Sequence, residues 1–265
     1  MTSALAMSRK ALQATLQTAW RPLVTAIVLI GMIEAAKRAH LLPVFVPAPS
    51  EVLQEIWSSP RLVTSNLAPT AWKAASGYLI AAVIATAAGS VAVSLRALYG
   101  TIYNVGVMIN SIPIIATAPL LALWLGTGPQ VQIAIAALAS QFPMLVGTMQ
   151  GLQAADSRQR ELMHVLSASR TQTLRYLLIP SALPYLFAGL KIAAPSAVLG
   201  AITAEWAGAD RGVGAMMLYA LFSYDTPKVW LSVLLTCLLA SAGFGIWALI
   251  ERVAVYWRHD VELAD

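Results

Sequence analysis

The sequence predicts an all-α protein integral to a membrane, with about six transmembrane helices and one long polar loop between the fourth and the fifth. Three observations carry this. Of the 265 residues, 58% are hydrophobic and only 11% are charged, which fits neither a soluble domain nor a disordered chain. Five segments of about 20 residues or more carry at most one charge each, enough to cross a bilayer. The stretch from Ala154 to Ala194 interrupts them, with six charged residues before Pro180. A segment that polar must lie in water between two spans.

Taken in order, residues 1–19 carry Arg9 and Lys10, with Leu12, Leu16 and Trp20 at helical spacing. They predict a cytoplasmic segment with an interfacial helix, and no cleavable signal peptide is read there. Residues 20–255 form one domain. Its first span, about residues 20–39, has Glu34, Lys37 and Arg38 near its outer end. Residues 40–69 hold five prolines and read as an outer connector, helical only from Glu51 to Ser58. Ala74–Leu95 is the second span, with Ala88, Gly89 and Ser90 small enough for close helix approach. Ile102–Leu125 is the third, where Pro113 and Pro119 should each kink or interrupt the helix. Val131–Leu152 is the fourth, with an interruption expected at Gln141-Phe142-Pro143. Leu183–Ala204 is the fifth and carries Lys191, residues 205–228 form an outer segment, and Val229–Ile250 is the sixth. Residues 256–265 are a tail.

Within the polar loop, Asp156 is an N-cap with Gln159 at the third helical position, and Ser169-Arg170-Thr171-Gln172 is a capping box. With Ser167-Ala168 as the break, this predicts two short helices and a turn, presenting Glu161, His164 and Ser167 to a partner. For six spans with the amino terminus inside, ten Lys and Arg residues fall inside and five outside, while Lys73 and Lys191 lie at or within spans. That bias favours both termini in the cytoplasm and puts the polar loop there too. The net charge of +5 is dispersed between spans, so anionic lipid explains it better than nucleic acid. Cys237 is alone and His40, His164 and His259 are far apart, so no disulfide, cysteine metal site or zinc motif is expected. No phosphate-binding P-loop sequence occurs, so the chain should not be an ATPase itself.

The loop resembles the coupling segment of permease subunits of bacterial ABC importers, whose pattern is E-A-A, three residues, G, nine residues and I-x-L-P. Glu161 stands at the acid, Ser167 at the glycine and Leu177-Leu178-Ile179-Pro180 at the last motif, while Leu162 and Met163 replace the two alanines. VPAPSEV after the first span, SIPIIATAPLLALWLGTG in the third and SASRTQTLRYLLIPSALPYLFAGLKIA around the loop resemble the sulfonate, nitrate, taurine and thiamine-pyrimidine branch of that family. The resemblance covers about residues 20–255. It implies a multi-pass inner-membrane translocation subunit with no cofactor of its own. Its implied partners are two cytoplasmic ATPase subunits, a second permease copy (a homodimer being expected) and an extracytoplasmic solute-binding protein.

It further implies that Arg160, Glu161, His164, Ser167, Ala168, Ser169 and Arg170 form the ATPase-coupling surface, where Glu161 acts mechanically rather than catalytically. Pro113, Pro119, Lys191, Glu205 and Trp206 are candidates for the translocation path. Lys191 reads more readily as an anchor than as a solute contact, Lys73 as a snorkelling residue, and Trp72, Trp124 and Trp206 as interfacial belt residues. The outer run from Ala204 to Thr226 supplies Trp206, Tyr219, Phe222, Tyr224 and two methionines, a surface suited to a flat, weakly charged heterocycle. An aromatic vitamin precursor is therefore the expected solute, with sulfonate, taurine or nitrate as the alternative. Two other classes compete. A secondary transporter would need ion-coupling charges at midplane, and a membrane enzyme would need an interfacial nucleophile or His–Asp pair; neither is visible in the sequence.

Overall fold

The computed structural model describes residues 24–126 and 128–258, and all regular structure among them is helical. The first helix, α1, is described over 24–38. It is followed by α2 (Pro49–Ser58), α3 (Pro60–Ser94), α4 (Arg96–Ser111), α5 (Ile114–Leu125) and α6 (Pro129–Gln153). Then come α7 (Ser157–Val165), α8 (Arg170–Thr173), α9 (Ile179–Glu205), α10 (Val213–Phe222) and α11 (Thr226–Ala254). Four stretches are long and apolar enough to cross a membrane: α3, α6, the run from Arg170 through α9, and α11. The α4–α5 pair makes a fifth if it counts as one span. The first predicted span falls on α1, while the interfacial helix expected in 1–19 and the tail beyond 258 lie outside the described residues.

Prolines mark how the chain turns at the α2 end. Pro49 and Pro60 each occupy a first helical position, where the missing N–H would have no partner. The Glu51 carboxylate accepts from the Ala48 N–H at 3.0 Å and closes the start of α2. The expectation of an irregular connector up to residue 69 is corrected here, because α3 begins at Pro60 and runs for 35 residues straight through Pro69. At 1.5 Å per residue it is about 52 Å long, well over the roughly 30 Å of hydrocarbon.

The third span departs from a single helix. Pro113 pushes Ile112 into an extended conformation (φ −72°, ψ 126°) and becomes the N-cap of α5. The two helices meet at 95°. Pro119, by contrast, sits inside α5 without breaking it, and α6 runs unbroken through Gln141-Phe142-Pro143. Neither Pro119 nor Pro143 ends its helix.

The core is a row of three helices. α6 lies between α3 and α9 and makes its most extensive contact with α9. Half of the most apolar stretch of α6 is buried against 6% of that of α11, which makes α6 central and α11 peripheral. Small residues bring α6 and α9 together: a Cβ on Gly147 would lie 2.7 Å from the Tyr185 carbonyl oxygen, and one on Gly189 would lie 2.5 Å from that of Pro143. In a lipid solvent such close backbone approach, with its dispersion contacts, is what holds helices together. α11 is tied to the row by Trp247, which packs on Tyr78 and Phe187 with ring centroids 5.7 and 6.2 Å away.

Candidate functional site

The polar loop is built by its caps. α6 ends at Gln153, and the Asp156 side chain accepts from the Arg158 N–H at 3.1 Å to start α7. Arg160 turns back towards the end of α6 and donates to the carbonyls of Leu152 and Ala155, each at 3.4 Å, so the loop is moored to the preceding span. α7 stops in a Schellman turn: Ser167 N–H donates to His164 O at 2.9 Å and Ala168 N–H to Met163 O at 3.0 Å. Ser167 takes φ +52° there, the left-handed conformation glycine adopts without strain. This is a physical reason for a glycine at that position in the resembled pattern. The expected capping box is present: Ser169 Oγ accepts from Gln172 N–H at 3.3 Å, and Gln172 Oε1 accepts from Ser169 N–H at 2.8 Å.

The second half of the loop corrects the expectation of two separate short helices. α8 passes through a five-residue π-helical stretch, Leu174–Leu178, directly into α9. Pro180 sits at the start of α9 and does not stop it. The loop is therefore one free helix, α7, and a turn on the end of a continuous 36-residue helical run from Arg170 to Glu205. Glu161, His164, Ser167, Ser169 and Arg170 are exposed, and Ala168 is half-buried. Glu161 makes no ion pair or hydrogen bond among the described residues. Beside it Leu162, Val165 and Leu166 are 55%, 76% and 65% exposed, an apolar ridge on a helix with no buried face. These three were missed in the sequence, although their spacing of three and four residues in a polar helix was a usable signal.

At the other end of α9 the site candidates change character. Glu205 is 1% exposed, in contact with α3 rather than with an open path. Lys73 Nζ meets its Oε1 at 2.8 Å, and Thr70 Oγ1 lies 2.8 Å from the same oxygen. Lys73 is thus a buried ion-pair partner, 4% exposed, and does not snorkel to the surface. Lys191 forms an ion pair with Glu251 of α11, and its ammonium lies 6.0 Å from the Phe244 ring centroid. The sequence hid both pairs because their members are 132 and 60 residues apart. Trp206, the residue closing α9, is 41% exposed and stays available as a surface contact. Pro113 occupies the elbow between α4 and α5, and the exposed Asn110 and Ser111 precede it.

The segment 205–228 is more ordered than an outer loop, since it contains α10. A cavity of about 620 Å³ opens beside that helix, lined by Asn66, Arg211, Met216, Tyr219, Asp225 and Lys228 among others. Lys228 is held there by Asp225 and, at 3.7 Å, by Glu55 of α2. Tyr219, Phe222 and Tyr224 are exposed, by 64%, 74% and 90%. No group of three or more potential metal ligands occurs among the described residues.

Fold and site together define a multi-pass all-α membrane protein with one exposed, capped segment between spans. The family described as binding-protein-dependent transport system inner membrane component matches residues 77–254, more than half of the chain, and the chain belongs to that family. It is 34% identical over 157 residues to a formylaminopyrimidine transport permease protein of Halalkalibacterium halodurans, covering 59% of this chain and 63% of that one. It is 32% identical over 149 residues to a riboflavin transport system permease protein of Chloroflexus aurantiacus, covering 56% of each. With a taurine transport system permease protein of Escherichia coli it shares 25% identity over 231 residues, 83% of this chain and 82% of that one. The first two matches each span less than two thirds of the relative's length.

Proposed function

We propose that this chain is the permease subunit of an ATP-driven importer and that its solute is an aromatic vitamin precursor, pyrimidine- or flavin-like. The observation that carries the permease reading is the exposed helix–turn from Asp156 to Thr173. It offers a carboxylate, Glu161, beside the apolar ridge of Leu162, Val165 and Leu166, and its turn is fused to a spanning helix rather than tethered to it. A short helix of that kind suits a cleft in a cytoplasmic ATPase subunit. Two such subunits would engage two permease copies, with the termini and the loop in the cytoplasm and a solute-binding protein on the opposite face. ATP is hydrolysed by the partner chains, and this chain supplies the two-state path that their closure biases. Co-purification of an ATPase chain that is lost on Glu161→Lys tests this reading, and retention of that chain by the variant would count against it.

The solute reading rests on charge. An anion moving at membrane depth needs positive charge on its path, yet the two lysines at or within spans, Lys73 and Lys191, are each neutralised by a glutamate. The exposed aromatic surface of α10 and of the residues after it suits a flat ring. Two of the relatives are named for formylaminopyrimidine and riboflavin. The second reading, a sulfonate or taurine, is favoured by the taurine permease relative, which aligns with most of this chain. Thermal-shift screening of the cognate binding protein separates the two. Stabilisation by pyrimidines or flavins is expected, and stabilisation by taurine or alkanesulfonates alone would overturn the choice.

A further inference from the structure

The residues around Glu205 do more than neutralise a lysine. Asn66, Thr70 and Lys73 fall on one stripe of α3, and all three reach the start of α10 or the acid beside it. Gly212 N–H donates to Asn66 Oδ1 at 3.0 Å, Val213 N–H to Thr70 Oγ1 at 2.8 Å, and Gly214 N–H to Glu205 Oε2 at 2.8 Å. Three successive amides at the opening of α10, which a helix leaves without internal partners, are thus taken up by side chains of α3 and α9. Thr70 accepts from Val213 and turns its own proton to Glu205, and Lys73 also donates to the Arg211 carbonyl at 3.2 Å.

Packing leaves no room for anything else. A Cβ on Gly212 (φ +143°) would sit 2.2 Å from a Glu205 carboxylate oxygen, and one on Gly214 would sit 2.5 Å from Ile202 O. The two glycines are therefore what lets the backbone lie on the acid. Apolar side chains of equal volume would hold α3 and α9 together about as well as a buried ion pair does. They could not fix the direction in which α10 leaves, because they accept no hydrogen bond from its amides. α10 in turn supplies Met216, Tyr219 and Ala220 to the 620 Å³ cavity.

We propose that Asn66, Thr70, Lys73 and Glu205 are positioning residues: they clamp the amino end of α10 and so hold the wall of the cavity through which solute enters. The word solute rests on the permease reading, whereas the clamp is tested without transport. Met216, 5% exposed, is the reporter. In the full chain in lipid nanodiscs, Met216→Cys in a Cys237→Ser background should react slowly with a polar maleimide. Glu205→Ala, and equally Gly214→Ala, should speed the reaction about tenfold by freeing α10. Glu205→Gln should also speed the reaction, because one amide oxygen cannot accept from Gly214 and meet the Lys73 ammonium at once, so that its NH2 faces a donor and Lys73 is stranded. The exchanged pair Lys73→Glu with Glu205→Lys should be as fast as Glu205→Ala, since an ammonium cannot accept from an N–H. Parental labelling of the exchanged pair would reduce the cluster to a plain ion pair and overturn the proposal. Parental labelling of Glu205→Ala would also overturn it. Should Glu205→Ala fail to accumulate, Gly214→Ala decides alone, and a parental rate there refutes the clamp.

Discussion

Lys191 can be tested as anchor or as path residue through its partner. Glu251→Gln removes the carboxylate and leaves an ammonium on α9 whose side chain is only 22% exposed, opposite a site that is 17% exposed. At a separation of about 3 Å and an effective dielectric of about 20, the direct attraction is about 5 kcal/mol, and desolvation offsets part of it. Removing one partner strands the other charge and costs about 3 kcal/mol. For a chain of this size that is an apparent melting shift of about 6–12 °C. Lys191→Met should cost about the same, whereas the double change should cost about 1 kcal/mol, because no stranded charge remains. The four proteins are compared by thermal unfolding in one detergent, and each is then assayed for uptake in vesicles with its partner subunits. An anchor predicts that the double variant recovers both stability and uptake. If the double variant is as stable as the parent but has lost uptake, Lys191 meets the solute and the anchoring assignment fails.

Glu161→Lys and Ser167→Pro should each abolish uptake at unchanged membrane insertion. The first reverses the exposed charge of α7, and the second forces φ to about −65° where the turn needs +52°; near-parental uptake by both would remove the coupling assignment. Ser167→Gly should be neutral or raise the melting temperature by a few degrees, since glycine takes the left-handed conformation without strain, and a clear loss of stability would contradict the turn geometry. Gly189→Ala should cost about 1–3 kcal/mol by forcing α6 and α9 apart, measured as a lower unfolding temperature, whereas Gly100→Ala, with nothing within 4 Å of the added carbon, should not. Cys237 lies on an exposed face of α11 in an apolar run, so an impermeant maleimide should label it slowly in intact membranes, and rapid labelling would mean that this face meets water.

The helical class was legible in the sequence because lipid demands long apolar runs, and those runs are local. Caps were equally legible: Asp156 and Ser169 read correctly because a cap is decided within four residues. Proline was not. The residue type alone does not say whether a helix ends: Pro113 follows a break while Pro119 and Pro143 lie inside continuous helices. Charge in spans failed for a related reason. Lys73 and Lys191 look costly when read alone, and only the fold reveals that Glu205 and Glu251 come to meet them. The ridge of Leu162, Val165 and Leu166 is masked in the sequence by the charged and polar residues interleaved with it.

The fusion of the loop's turn with α9 has a mechanical consequence. From Arg170 to Glu205 the chain forms a run of 36 helical residues, about 54 Å of nearly incompressible rod. One tip carries the Ser169 cap beside the Schellman turn, and the other carries the acid that grips α10. A rod cannot be tilted at one tip alone: about 5° of rotation about its lower end carries the upper end through about 5 Å, close to a full helical turn. Its hydrogen-bond ladder is loosened at the π-helical turn Leu174–Leu178 and at the interior prolines Pro184 and Pro195. Deleting one residue from the π-helical turn would restore an α-helical ladder and stiffen the rod while leaving the faces beyond it near their present register, because a π-turn absorbs its extra residue locally.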